Sequence, residues 1–166
     1  PFAYQLKQGS YTPDREGLLM ILKHIHVLLC RDEKAYDLLL KFISNMIKHP
    51  KSKGVALNLV GPQGAGKTTV VDLLRKLLGK RKVLETTTPE ENVWGKFNSP
   101  MTLAVLVVLS EVSGKNFFSA NGKLKAIISD PPLMINKKGI AQTEITSFHR
   151  LLCATNIHGA CSLNEP

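Results

Sequence analysis

One short segment carries the strongest chemical signal in the chain. Gly61-Pro62-Gln63-Gly64-Ala65-Gly66-Lys67-Thr68 satisfies the pattern G-x-x-x-x-G-K-S/T at every fixed position. Glycines let the backbone curl so that successive N–H groups point inward at phosphate oxygens. A helix opening directly after the loop presents its positive end to the same anion. Lys67 supplies a mobile cation for the β- and γ-phosphates, and the Thr68 hydroxyl is a magnesium ligand. The expected ligands are ATP and Mg2+, bound from Gly61 to Thr69. The plain alternative is a structural glycine turn.

Hydrolysis of the terminal phosphate requires an acid beside that loop. Leu106-Val107-Val108-Leu109-Ser110-Glu111 is an apolar run of strand length that ends in one. Glu111 is the candidate catalytic base and second magnesium ligand, against the alternative of a surface glutamate. Ser110, just before it, can hold a metal-bound water but brings no negative charge. A second polar strand end is Leu151-Leu152-Cys153-Ala154-Thr155-Asn156. The neutral amide of Asn156 can hydrogen-bond the γ-phosphate or the attacking water without repelling either, or it can simply make a turn.

Basic residues come next. Asn136-Lys137-Lys138-Gly139 is flanked by Leu133-Met134-Ile135 and by 141–145, so it reads as the tip of a hairpin. Lys137 and Lys138 there are the candidate nucleic-acid contacts, with Lys123 and Lys125 nearby in sequence. Arg75, Lys76, Lys80, Arg81 and Lys82 read first as a solvated helix end, with contact to DNA the alternative. His149, Cys153, His158 and Cys161 invite a zinc reading, but strand residues four apart are separated by about 13 Å. Zinc ligands must all lie about 2.0–2.3 Å from the metal. His24 and His26 read as core or boundary residues, and Trp94 and Phe97 as packing residues.

These groups need elements to hold them. Residues 55–60, apolar on both faces, suit a central parallel strand ahead of the loop. Val70, Val71, Leu74, Leu77 and Leu78 repeat at helical spacing after it, and Gly79 suits the C-terminal cap. Residues 103–109 and 151–154 are further buried strands, and 124–128 a short helix. Two helices precede this unit. The first starts at Thr12 as cap with Pro13 at its first position and carries the apolar run 18–30. The second is capped by Asp32, buries Ala35, Leu38, Leu39, Phe42, Ile43 and Met46, and ends before Pro50. The fold class is therefore α/β, with a parallel sheet behind a small helical segment.

Composition bounds the rest. The 166 residues suit one domain of ordinary size, and 43% hydrophobic content supports a sizeable core. A net charge of +9 favours polyanionic partners, nucleic acid first and a membrane surface second. No apolar run is long enough for a spanning helix. Three cysteines without a CxxC pair point to a reducing compartment, cytoplasmic or nuclear. The opening Pro1-Phe2-Ala3-Tyr4-Gln5 has neither an initiator Met nor a signal-peptide pattern, so a piece of a longer protein is expected.

In order and spacing, these segments resemble the superfamily 3 helicases of viruses and phages, in particular poxvirus-type and phage primase-helicases. The resemblance runs from about Tyr36 to Asn156. It takes in the phosphate loop, Gly95-Lys96-Phe97-Asn98, the strand ending in Glu111, Lys137-Lys138-Gly139, Ser147-Phe148 and Cys153-Ala154-Thr155-Asn156. It implies a P-loop NTPase of AAA+-like type, with a collar-like segment over 1–50 and an ATPase core over 51–166 that is cut short at its C-terminal end. It also implies ATP hydrolysis that drives a hexameric ring along single-stranded nucleic acid, with DNA the expected form. In such a ring the Lys137-Lys138 hairpin projects into the central channel, and an arginine from a neighbouring subunit completes the site. The expected location is the host-cell cytoplasm or a viral replication site, and a primase domain is expected upstream. Ser110 departs from the family's two-acid pattern. The alternative from another class is an ATP-switched assembly or packaging protein without unwinding activity; a small-metabolite kinase is a weaker third reading.

Overall fold

The structure, a computed structural model, describes residues 12, 14–111, 121–129 and 132–156. Its elements are α1 (Arg15–Leu28), α2 (Glu33–Lys48), β1 (Ala56–Val60), α3 (Lys67–Leu78), β2 (Val83–Thr86) and α4 (Pro89–Asn92). They continue with β3 (Leu106–Ser110), α5 (Asn121–Ile128), β4 (Leu133–Ile135), β5 (Thr143–Ile145) and β6 (Arg150–Thr155). Four strands form a parallel sheet in the order β1-β6-β3-β2. The two short strands β4 and β5 form a separate antiparallel hairpin.

The parallel sheet is buried on both faces, which is why its central strands are almost wholly apolar. Along β3, Leu106 and Val108 pack toward Leu39, Phe42 and Met46 of α2 and Val70 and Leu74 of α3. Val107 and Leu109 point the other way, into a core with Leu124 and Ile127 of α5 and Ile135 of β4. The helices before β1 therefore close one side of the sheet, while α5 and the hairpin close the other. Arg150 ties the two parts of the chain together. Its guanidinium, on a residue only 3% exposed, donates to Asn45 Oδ1 at 3.1 Å and to the carbonyls of His49 at 3.0 Å and Pro50 at 3.3 Å. It also bonds the Ser52 carbonyl. One buried cation thus ties β6 to the turn that follows α2.

Several sequence expectations are met locally. Asp32 caps α2 through Lys34 and Ala35, Gly79 ends α3, and 121–128 is helical. Others need correction. Thr12 does not cap α1: the Asp14 carboxylate does, accepting from Gly17 N at 2.8 Å, and Pro13 lies outside the described residues. Among the described strands β1 is an edge, pairing with β6 on one side. Leu38 is 51% exposed because the buried stripe of α2 is narrower, running through Leu39, Phe42 and Met46. His24 is exposed and His26 half-buried, since α1 turns only Ile25 fully inward. Phe97 is exposed and lies under the Lys96 ammonium. β2 and α4 had no counterpart in the sequence reading.

Candidate active site

The carboxyl ends of all four parallel strands open on one cleft of about 470 Å³. It is lined by residues 63–69 after β1, Glu85 of β2, Ser110 and Glu111 at the end of β3, and Asn156 after β6. Ligands of open α/β sheets sit at this end, because helix N-termini and loops converge there.

The loop leaves β1 with the Gly61 N–H bonded to the Thr155 carbonyl of β6 at 3.2 Å. Gly64 and Gly66 take φ values of 79° and 85°, a left-handed conformation that glycine enters without a Cβ penalty. A side chain at Gly66 would also run into Leu28 of α1. Gly66 then opens α3 with no side-chain cap, so its first amides remain for the cleft. Lys67 Nζ lies within the loop's curve, donating to the carbonyls of Gly61 at 2.6 Å and Pro62 at 2.9 Å and to Asn156 Oδ1 at 2.7 Å. Thr68 and Thr69 are exposed on the cleft wall.

Glu111 follows the last residue of β3 with φ of 56°, an uncommon value for a side chain of this size. Its N–H donates to the Ala154 carbonyl at 3.0 Å, so the neighbouring strand holds that turn in place. Beside it, Ser110 Oγ donates to Glu85 Oε1 at 2.8 Å. The other Glu85 oxygen pairs with Arg75, which also binds Asp72. The structure thus brings 63–69, Glu111 and Asn156 of the expected site residues to one cleft, where Glu85 and Thr87 join them; Gly61 and Pro62 lie off its lining. Glu85 escaped the sequence reading because its strand is four residues long and starts directly after a basic run.

Lys137 and Lys138 are exposed between β4 and β5, away from the cleft lining. Asn98 clamps that hairpin. It donates from Nδ2 to the Met134 carbonyl at 2.9 Å and accepts at Oδ1 from Asn136 N at 2.8 Å. Lys123 and Lys125 are exposed on α5. Arg75 of the other basic cluster is occupied by its carboxylates.

Among the described residues, no group of three or more His, Cys, Asp and Glu side chains could hold a metal ion. His149 is 2% exposed, with Nε2 2.8 Å from the Met101 carbonyl and Nδ1 3.0 Å from Ser147 Oγ. A carbonyl can only accept, so Nε2 carries the hydrogen and Nδ1 accepts from the serine. Burial holds its pKa below the usual 6.5; the bond to Met101 opposes that shift and the charge of Lys53 reinforces it. Cys153 is buried in β6, and His158 and Cys161 lie outside the described residues. No helix among the described residues is long and apolar enough to cross a membrane.

Comparison with known proteins places these features in a group. Residues 59–162 match a family of unknown function, DUF5906. The chain is 30% identical over 128 residues to a DNA primase-polymerase of Nitratiruptor phage NrS-1, covering 75% of this chain and 18% of that protein. A Lon protease homologue of Acanthamoeba polyphaga mimivirus is 30% identical over 76 residues, 46% of this chain and 7% of that one. The solved apo C-terminal region of NrS-1 superposes with a TM-score of 0.71 at 28% identity, over 82% of this chain and 33% of that one. A second apo form of that region gives a TM-score of 0.71 at 30% identity. The chain therefore spans less than a fifth of the curated relatives it matches.

Proposed function

The chain belongs to the DUF5906 family of unknown function, and on that footing we propose that it is an ATP-hydrolysing motor domain of superfamily 3 helicase type, part of a viral or phage replication protein. One observation carries the reading. Lys67, Glu111 and Asn156 meet in a single cleft at the carboxyl ends of β1, β3 and β6, with β6 seated between the other two strands. The similarity to a phage primase-polymerase supports the replication context.

In this reading residues 61–69 bind the phosphates of ATP. Their amides and the opening turn of α3 face the anion, and the Lys67 ammonium moves from carbonyl oxygens to phosphate oxygens. Thr68 and Glu111 would hold Mg2+. The cleft offers hydroxyl and carboxylate oxygens, the donors that ion takes, and Mg2+ is ordinarily bound through one or two carboxylates plus substrate phosphates. When bound with ATP, the ion neutralises charge that develops on the transferred phosphoryl group. Glu111, on the cleft lining, then accepts the proton of the attacking water. Asn156 hydrogen-bonds the water or the γ-phosphate without adding negative charge.

The basic composition and the exposed Lys137-Lys138 tip support single-stranded nucleic acid, DNA first, as the track. A hexameric ring, with an arginine donated between subunits, goes with this class of motor. The test is ATP hydrolysis by the chain with and without single-stranded DNA or RNA, in wild type and Lys67→Ala. Stimulation by nucleic acid that Lys67→Ala abolishes is the expected result. Hydrolysis indifferent to nucleic acid would favour the ATP-switched assembly protein, and absence of nucleotide binding would end both readings.

A further inference from the structure

Ser110 stands where the family resemblance expects an acid, and a serine carries no charge. We infer that Glu85 supplies that charge from the neighbouring strand, acting through Ser110 as the positioning residue of the metal side of the cleft. The inference rests on the reading of the cleft as a magnesium–ATP site.

The geometry comes from strand pairing. β2 runs parallel to β3, with Glu85 opposite Val108 and Thr86 opposite Leu109. That register brings the Glu85 carboxylate to the end of β3, where Oε1 accepts the Ser110 hydroxyl at 2.8 Å. A hydroxyl has one proton, and this one is committed to Glu85. The remaining lone pairs of Ser110 Oγ can only accept, so toward the cleft the serine suits a cation or a metal-bound water. A carboxylate behind it strengthens that acceptor.

Arg75 does not cancel this charge. Its guanidinium is shared between Asp72 and Glu85, so two carboxylates face one cation and the trio keeps a net charge of minus one. Arg75 also fixes the carboxylate's orientation, with one oxygen on the guanidinium and the other on the serine. The Glu85 side chain is 32% exposed and lines the same cleft as Thr68 and Glu111. If Glu85 served only as the ion-pair partner of Arg75, its charge would matter to stability and not to metal.

The experiment measures metal linkage without turnover. A non-hydrolysable ATP analogue is titrated into the chain with Mn2+ and again with EDTA, and the ratio of the two affinities is the linkage. Glu85→Gln should lower that ratio about 10–100-fold, the usual cost of losing a group that supports a metal ligand. Its metal-free affinity should not fall, because removing a negative charge from the cleft lining does not weaken the hold on a polyanion. Ser110→Ala should lower the ratio to a similar extent, and the double variant should add little, because the two groups act as one. Ser110→Asp in the Glu85→Gln background should restore it by putting the charge directly on β3. Thermal melting without nucleotide checks the folds, and if Glu85→Gln fails to fold, Ser110→Ala decides alone. An unchanged ratio in Glu85→Gln or, in that event, in Ser110→Ala overturns the inference and leaves the nucleotide site standing. Wild-type chain that binds the analogue without metal linkage does the same. Wild-type chain that binds no analogue overturns the inference together with the reading beneath it.

Discussion

Lys67 Nζ and Asn156 Oδ1 are joined by a 2.7 Å hydrogen bond across 89 residues of chain. The contact exists because β1 and β6 are paired neighbours, in register from Ala56↔Leu151 to Val60↔Thr155, and each ends at the cleft. The loop's cation and the amide proposed to read the γ-phosphate are therefore one unit. Lys67→Ala should abolish tight nucleotide binding while the melting temperature stays near wild type, since the residue is only half-buried. Isothermal titration of the folded variant checks this, and wild-type affinity would remove the cation from the site.

Glu111 separates binding from chemistry. Glu111→Gln should keep ATP bound and slow hydrolysis by about 10²–10⁴-fold, the range for losing a general base. Glu111→Gly should lose the same activity and gain stability. Its φ of 56° is a conformation that costs an L-residue about 1–2 kcal/mol and glycine nothing, offset in part by glycine's greater unfolded-state entropy. Single-turnover kinetics and thermal melting of the two variants give the answer.

His149 sets an acid limit on stability. With its pKa held below 6.5 by burial, the folded protein takes up a proton on this residue at lower pH than the unfolded chain does. Stability from this group is complete above about pH 6.5, and it declines as pH falls from there through the lower folded value. The slope contributed is at most about 1.4 kcal/mol per pH unit. His149→Gln should flatten that part of the profile, as urea unfolding between pH 7 and pH 5 would reveal.

Arg150 should be among the most sensitive positions for stability. Arg150→Leu strips the partner from carbonyls at the end of α2 and from Asn45. The expected loss is about 1–3 kcal/mol, since the half-buried Asn45 and Pro50 acceptors lose a donor, while the His49 carbonyl keeps Ser52 N and the exposed carbonyls recover water. Chemical denaturation measures it. A loss below about 1 kcal/mol would mean that the α2 end is hydrated without the arginine.

The hairpin tip should govern nucleic-acid binding and leave nucleotide binding alone. Lys137→Ala with Lys138→Ala should weaken single-strand binding equally for all sequences. The log–log salt slope should fall by about 0.7 for each phosphate contact removed. Asn98→Ala, which releases the hairpin from its clamp, should weaken binding with the salt slope unchanged. Fluorescence anisotropy at several salt concentrations distinguishes the two effects.

Much of the site was legible because its determinants are local. The phosphate loop, the helix after it, the Asp32 and Gly79 caps and the Lys137-Lys138 turn each depend on residues a few positions apart. Spacing along the chain is enough to read such features. Glu111 and Asn156 were legible for a similar reason: each ends an apolar run that could only be a buried strand. What the chain alone left undecided is which strands lie side by side. Tertiary structure put β6 between β1 and β3, left β1 at an edge among the described strands, and seated β2 against β3 so that Glu85 reaches Ser110. The charge that Ser110 lacks thus sits 25 residues away, on a strand too short and too mixed to show a period. Pairing of parallel strands is a contest among long-range contacts, and it is settled by which buried faces fit when the whole core packs.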